Sequence, residues 1–592
     1  MPPLKPLPKF ILIAAVVGGL FYGVNYLAAK GFLGSSAEKT SSVPERIDLP
    51  GSAPTLGAER VALPSNNVAL EPPANFTATV MTLPWNATMG LHYANGNVAT
   101  EPGSLMARRG IKLKIERQDD YAQMISALAA FGKGISKDGG APNIGAAFVI
   151  IMGDGYPAFY ASAQEALSTV GLNAQAVAAF GYSRGEDKCM LPSNVKTDPQ
   201  KARGALIGAV LRDGDWNLCV KWASDNAIPI DPDEKTYDPS AMNFIAVTSF
   251  AEADEKLIAG YCEDRPVVDK GKRTGEKRRV CQNGTATWTP GDVKVAKLKG
   301  GVVSIASTKE YAWQMPAIVI GVKEWMEKNP LWTEQFIAAA LEGGEVVRTN
   351  DAALYQAAGT SAKVYKEETA EYWAKYYKGT TERDKQGLDI HLGGSAAIGL
   401  GDNAFLFGLN GNDNLFKRVY TVFGNIAKTY YPEVMPKVLP YEQAVTTRYL
   451  ESLLAKVGKV TPASQPSFSD TQAAGTFAKR SWSIEFETGQ ATFTAQTTTT
   501  LEDLLNQISV SGLPVQINGH TDNIGNSQGN LQLAKRRAEA VKLWIETNAP
   551  STFPQNRIRT RAYGDAQPIA SNATAEGRAK NRRVEIVLLN TR

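Results

Sequence analysis

Histidine is scarce in this chain: only His92, His391 and His520 occur among 592 residues, each far from the others. That argues against a histidine-rich metal site and leaves no obvious general base. Cysteine is nearly as rare. Cys189, Cys219, Cys262 and Cys281 are the whole set, and none forms C-x-x-C, so a zinc ribbon or thioredoxin-type motif finds no support. Neither sign of charge dominates, with 63 basic and 59 acidic residues and a formal net charge of +4. Nucleic acid, which needs a clustered basic footprint, is therefore not an expected partner. No G-x-S-x-G elbow, Walker loop, H-E-x-x-H pair or dinucleotide fingerprint is present, nor any repeat at a fixed period. These absences set the expectation of a non-catalytic protein without cofactor or metal.

What is present suffices for several cores. Apolar residues make up 43% and charged ones 21%, the balance of ordinary globular protein, and the length allows two to four domains. All four cysteines fall in one stretch, and an even count fits two disulfides in an oxidising compartment. Three pairings are open. Short loops favour Cys189–Cys219 and Cys262–Cys281, the latter closing the Lys- and Arg-rich segment Asp264 to Arg279; the alternative is four buried free thiols. The acidic group Asp213-x-Asp215-x-Asn217 has the form of half a calcium loop but lacks the later glycine and glutamate, so a solvated loop is expected.

Phe10 to Ala29 is an uncharged, mainly apolar run, about the length a helix needs to cross ~30 Å of hydrocarbon. Lys5 and Lys9 precede it, placing the 1–9 stub in the cytoplasm and the bulk of the chain in the periplasm, as a single-pass inner-membrane protein. A cleaved signal with Leu27-Ala28-Ala29 at its end is the alternative. No cysteine lies near the junction for a lipid anchor. The run holds no ionisable group, which an ion-driven motor subunit would need, so it is expected to be a tether. Residues 30–76, rich in Ser, Pro, Ala and Gly, are expected to be a flexible linker, reaching on the order of 130 Å if fully extended.

Residues 77–456 alternate strand-like and helical patterns. Ala146 to Met152, Asn243 to Ser249 and Gly301 to Ser307 are expected strands, and Tyr121 to Phe131, Ala251 to Gly260 and Pro330 to Leu341 expected helices. The alternation predicts an α/β architecture with largely parallel sheets. Nearly 380 residues exceed one comfortable core, so two lobes are expected. Ser307-x-x-Glu310 has the form of a capping box opening a helix.

After an expected linker, 457–480, residues 481–592 read as strand, helix, strand, helix, strand. Leu531, Ala534, Ala538, Val541 and Ile545 recur at helical spacing, and Val515 to Gly519 runs into Gly519-His520-Thr521-Asp522-Asn523-Ile524-Gly525. With Asn530, Leu533, Lys535 to Ala538, a Tyr563-Gly564 turn and Glu576 to Ile586, this part resembles the OmpA-like peptidoglycan-binding domains. The resemblance implies an α+β (βαβαβ) domain of the Gram-negative cell envelope. Asp522, beside Thr521, and Arg537 would clasp the diaminopimelate of a peptidoglycan stem peptide. That end carries an ammonium and a carboxylate on one carbon. Asp522 would take the ammonium and Arg537 would hold the carboxylate bidentately, as lysine cannot. Asn530 would cap the helix or orient the loop, and Asn581 and Arg582 would help build the site.

The middle region is similar in pattern to two-lobed type II periplasmic solute-binding proteins, especially the nitrate/taurine/thiamine-precursor group. The similarity rests on Thr82 to Asn86, Tyr93 to Gly96, Gly301 to Tyr311, Trp325 to Glu327 and Asn329-Pro330. It implies a cleft for a small-molecule solute, with Trp85, Asn86, Asp154, Tyr156, Tyr182, Ser183, Arg184, Ser307, Thr308 and Tyr311 as candidate contacts. Taken together, the sequence reads as an inner-membrane-anchored receptor or sensor that grips peptidoglycan. The alternatives are a structural or assembly component whose lobes bind membrane-protein or other partners, and the substrate-binding component of an ABC-type transporter.

Overall fold

The computed structural model describes residues 63–64, 76–138, 142–212, 214–269, 271–458, 460–463, 473–487 and 489–591. The apolar run Phe10 to Ala29, nearly all of the 30–76 linker, Asp213 and the 464–472 stretch lie outside the described residues. No described helix is long and apolar enough to cross a membrane.

Two mixed sheets form the middle region. The first, in spatial order, is Ser395–Ala397, Ala174–Ser183, Pro316–Val322, Phe148–Met152, Ala78–Thr82 and Leu113–Arg117; the second is Val302–Ser307, Lys188–Pro192, Gly284–Thr287, Leu206–Ala209 and Asn243–Ala246. The runs expected as strands from their continuous apolar character are strands, and Phe148–Met152 is buried on both faces. The three expected helices form as Tyr121–Asp138, Phe250–Ala259 and Pro330–Thr349. Trp325, Trp332, Phe148 and Phe336 pack under the first sheet, Phe148 and Phe336 with ring centroids 4.7 Å apart. Truncating such a buried ring typically costs about 3–5 kcal/mol.

The sheets are not largely parallel. Four of the nine strand pairings are parallel and five antiparallel. The cause is the chain's route between lobes. Ala174–Ser183 leads straight into Lys188–Pro192, and Val302–Ser307 back into Pro316–Val322. No crossover helix turns these strands around, and a parallel pair requires one. The two crossings meet: Ser183 Oγ lies 2.6 Å from Thr308 Oγ1, Gly185 N–H donates to the same hydroxyl at 2.8 Å, and Arg184 N–H donates to Gly394 O at 2.8 Å. Glu310 accepts from both the N–H and the hydroxyl of Ser307, only one of the two capping-box bonds, and they close a turn with no helix following, because the chain must enter the next strand within a few residues.

Both disulfides join the pairs that short loops favour, Cys189–Cys219 and Cys262–Cys281. The second staples a two-stranded ribbon, Cys262–Asp269 with Lys272–Cys281.

The C-terminal sheet runs, in spatial order, Ala473–Trp482, Val584–Thr591, Val515–His520 and Ile558–Gly564. The first strand begins at Ala473, inside the expected 457–480 linker and ahead of the expected domain start at 481; its antiparallel pairing with Val584–Thr591 holds it. Ile558–Gly564 is a strand and not merely a turn. Its exposed Arg559 and Arg561 give it few apolar residues, and parallel pairing with Val515–His520 defines it. The order is therefore βαβαβαβ, with helices Thr497–Ser509, Ser527–Asn548 and Ala575–Asn581.

This domain packs on both lobes and on the crossing between them. Trp313 N–H donates to Val510 O at 3.1 Å, and Gly512 N–H to Glu310 O at 2.9 Å. Arg480 donates to Ser224 Oγ of the second lobe at 3.1 Å. In the first lobe, Asp413 accepts from Ser551 N–H at 2.9 Å, Thr552 N–H at 3.1 Å and both hydroxyls. Asp413→Ala leaves those two amides without their acceptor. Faster hydrogen exchange in the peptide spanning them is expected by mass spectrometry, and unchanged protection would show that Asp413 does not hold the domain in place.

Candidate functional site

The strand Val515–His520 and the helix Ser527–Asn548 touch at Gly519. A Cβ there would lie 2.2 Å from Ala534 O, so only glycine admits the helix backbone this close. Ala534 and Ala538 are fully buried against the sheet. The contact brings the strand end, Thr521-Asp522, alongside the helical turn that carries Arg537.

Asp522 is recessed, 8% exposed. One carboxylate oxygen accepts from Ile524 N–H at 3.1 Å, and the other from Arg582 Nη1 at 2.6 Å. Arg582 is the more accessible partner, its side chain 47% exposed. Arg537 lies deeper. Its Nε donates to Gln490 O at 3.0 Å and its guanidinium sits 4.8 Å from the Phe486 ring centroid. Among the described residues its two terminal nitrogens make no hydrogen bond, so a forked donor remains available for a carboxylate. Burial, then the like charge of Arg582, lowers the Arg537 pKa from its ordinary value, while Asp522 raises it. The three groups thus share one electrostatic environment.

The remaining predicted residues divide. Asn530 orients the loop through Nδ2 to Asp522 O at 3.2 Å; it does not cap the helix, since Asn526 accepts from Gly529 N–H. Thr521 is buried, its hydroxyl without a partner among the described residues. Asn581 is fully buried and staples the loop before it, accepting from Ile569 and Ala570 N–H and donating to Ala570 O and Asn572. It builds the site from behind.

A second candidate site lies between the lobes. A cavity of about 620 Å³ opens where strands of both sheets end, the usual place for a ligand in such folds. None of the sequence-picked solute contacts lines it. Trp85, Asn86, Tyr156, Tyr182, Ser183, Thr308 and Tyr311 are fully buried, with Asp154 and Ser307 nearly so. Tyr156 donates to Ala444 O, and Tyr311 to Asp225 at 2.8 Å. Asn86 donates to Glu186, Asp154 accepts from Gln314 at 2.7 Å, and Arg184 lies over the Tyr182 ring. These side chains hold lobe cores and the crossing. The cleft is lined instead by residues such as Arg117, Tyr121, Ser249, Asp254, Trp288 and Lys294. One cue was readable: Ser249-x-x-Glu252 has the spacing of a helix start just after a strand, Ser249 capping the helix by accepting from Glu252 N–H and Glu252 accepting from Thr248 N–H.

Comparison with known proteins bears mainly on the C-terminal part. A family model described as the OmpA family matches residues 485–582. Outer membrane protein A of Bordetella avium is 47% identical over 74 residues, 12% of this chain and 37% of that protein. The peptidoglycan-binding protein ArfA of Mycobacterium tuberculosis is 47% identical over 74 residues, 12% of this chain and 22% of that protein. The chain thus spans well under half the length of these curated relatives. Over the middle region, the periplasmic nitrate-binding protein NrtA of Synechocystis aligns at 11% identity and a TM-score of 0.45, covering 66% of this chain and 90% of that one.

The matched span ends at Arg582, and the carboxylate that braces the sheet beneath it lies just beyond. Glu585 accepts from Arg583 at 2.6 Å, Lys479 lies 2.8 Å away and His520 3.3 Å; His520 stacks on Tyr563. Burial raises the Glu585 pKa, but the bonds from His520, Lys479 and Arg583 prevail and hold it well below the ordinary carboxylate range. A depressed folded-state pKa stabilises above the unfolded value and is lost as pH falls below it. Stability of the C-terminal domain should therefore decline below about pH 4. Glu585→Gln, leaving buried Arg583 without its counter-charge, should cost about 3–5 kcal/mol and flatten that decline in denaturant unfolding. An unchanged acid limb would assign the decline to other groups.

Proposed function

We propose that the protein is an envelope tether and receptor that grips peptidoglycan non-covalently through residues 481–592. The recessed Asp522 carboxylate, with the free fork of Arg537 beside it inside an OmpA-family domain, carries this reading. A zwitterionic diaminopimelate end would give its ammonium to Asp522, displacing Arg582, and its carboxylate to Arg537. Phe10 to Ala29 would anchor the chain in the inner membrane, and residues 30–76 would bridge the space to the wall. The cleft between the lobes would receive a small solute. Packing of the wall-binding domain on both lobes and their crossing favours a sensor over a transport component: lobe movement would disturb the docking bonds, while a wall-bound domain cannot carry solute to a permease. Simultaneous hold on membrane and wall raises effective concentration without tight individual contacts.

Asp522→Ala or Arg537→Glu should abolish co-sedimentation with purified sacculi while the unfolding midpoint stays close to that of the parent. Retention of both variants on sacculi would remove the clasp from these residues.

A further inference from the structure

The interlobe cleft carries a buried acid with no ion pair among the described residues. Asp254, on the helix Phe250–Ala259, is 2% exposed and lines the cavity. Its two oxygens accept from Thr285 and Thr287 hydroxyls, each at 2.8 Å. Two other buried carboxylates have cations, Asp292 with Lys188 at 2.6 Å and Asp225 with Lys221 at 2.5 Å, while Glu186, fully buried, is held by Asn86 and the Ser395 hydroxyl. Asp254 has no ion pair among the described residues, and the cations lining the cleft are paired elsewhere. Arg117 pairs with Asp119 and Glu367, Lys294 with Glu367 at 3.7 Å, and Arg212 with Glu433 at 2.5 Å.

A purely structural role would be to staple the helix to the strand Gly284–Thr287. Asparagine could accept from one threonine hydroxyl and donate to the other without the cost of burying a charge, so the two hydroxyl bonds do not by themselves require a carboxylate. Nor is the site shaped for an anion. The N-terminus of the helix Gly291–Leu298, where an anion would otherwise settle, is already filled: a Cβ on Gly291 would fall 2.0 Å from the Asp254 carboxylate. The Trp288 and Phe250 rings, centroids 3.6 Å apart, form an adjoining aromatic wall, a surface that attracts cations.

We propose that the interlobe cleft binds a small organic ammonium, its charge on Asp254 and its carbon skeleton against Trp288 and Phe250. This rests on the reading of the cleft as a solute site and names the class of solute. Burial raises the Asp254 pKa to about 7 against the pull of the two threonines, so an arriving cation would complete its ionisation. The charged groups near it are Asp292 and Lys294 on the facing helix and Glu252, Glu255 and Lys256 on its own; the strands Leu206–Ala209 and Gly284–Thr287 bring none.

The test is calorimetric titration of the intact protein with ethanolamine and putrescine, and separately with nitrate and sulfate. The amines should bind at about pH 8 and weaken roughly tenfold by about pH 6, as Asp254 takes up its proton. Asp254→Asn should weaken them at least roughly tenfold, the loss of a buried charge partner being worth more than 1.4 kcal/mol. The pH series on the parent protein stands even if that variant does not fold. Binding of the anions without the amines would keep the cleft as a solute site and overturn the ammonium; binding of neither class would overturn both.

Discussion

A carboxylate withdrawn from water needs compensation, and in the C-terminal domain positive charge supplies it. Asp522 sits at a strand end, recessed below the surface, and Arg582 neutralises it at 2.6 Å. Arg537 lies behind with its fork unspent. A ligand ammonium could take the place of Arg582 with little net change in charge pairing, while its carboxylate met the waiting guanidinium. Exchange of one ion pair for another avoids leaving any buried charge alone, the costly outcome in low dielectric. Gly519 makes the arrangement possible, since a side chain there would push the helix and its arginine away from the strand end.

The same constraint runs through the two lobes. Asp292 in the lobes has Lys188, and Glu585 in the C-terminal domain has Arg583 and Lys479. Asp254, in a cleft between lobes, is held by two threonine hydroxyls and has no ion pair among the described residues. The wall-binding domain rests on the segment that joins those lobes, through Glu310, Trp313, Ser224 and Asp413. Cleft occupancy and the seating of the wall domain are therefore mechanically adjacent, which is the basis for reading the molecule as a sensor.

Much of this was legible in the sequence wherever local pattern decides structure. Phe148–Met152 is an apolar run too short for a helix, and the spacing of Ala534, Ala538, Val541 and Ile545 fixes the helix face that meets the sheet. The closeness of Asp522 to the helix that carries Arg537 was readable because their motif is compact in sequence. The cleft was not. Trp85, Tyr156 and Tyr311 looked like ligand-stacking aromatics, but nothing local distinguishes such a ring from one that fills a core, and the fold buries all three. Asp254 lies mid-helix in an ordinary acidic stretch, and its isolation arises only when Thr285, Thr287 and Gly291 come round from elsewhere. Mixed sheets were missed for a related reason: strand direction depends on how the chain passes between lobes, which no strand's own residues encode.

The most direct measurement is a crystal structure of the protein with a diaminopimelate-containing muropeptide. Arg582 should have left Asp522, with the ligand ammonium within hydrogen-bond distance of the carboxylate and the ligand carboxylate on the Arg537 fork. An Asp522–Arg582 pair still closed, with the muropeptide absent or seated elsewhere, would contradict the clasp.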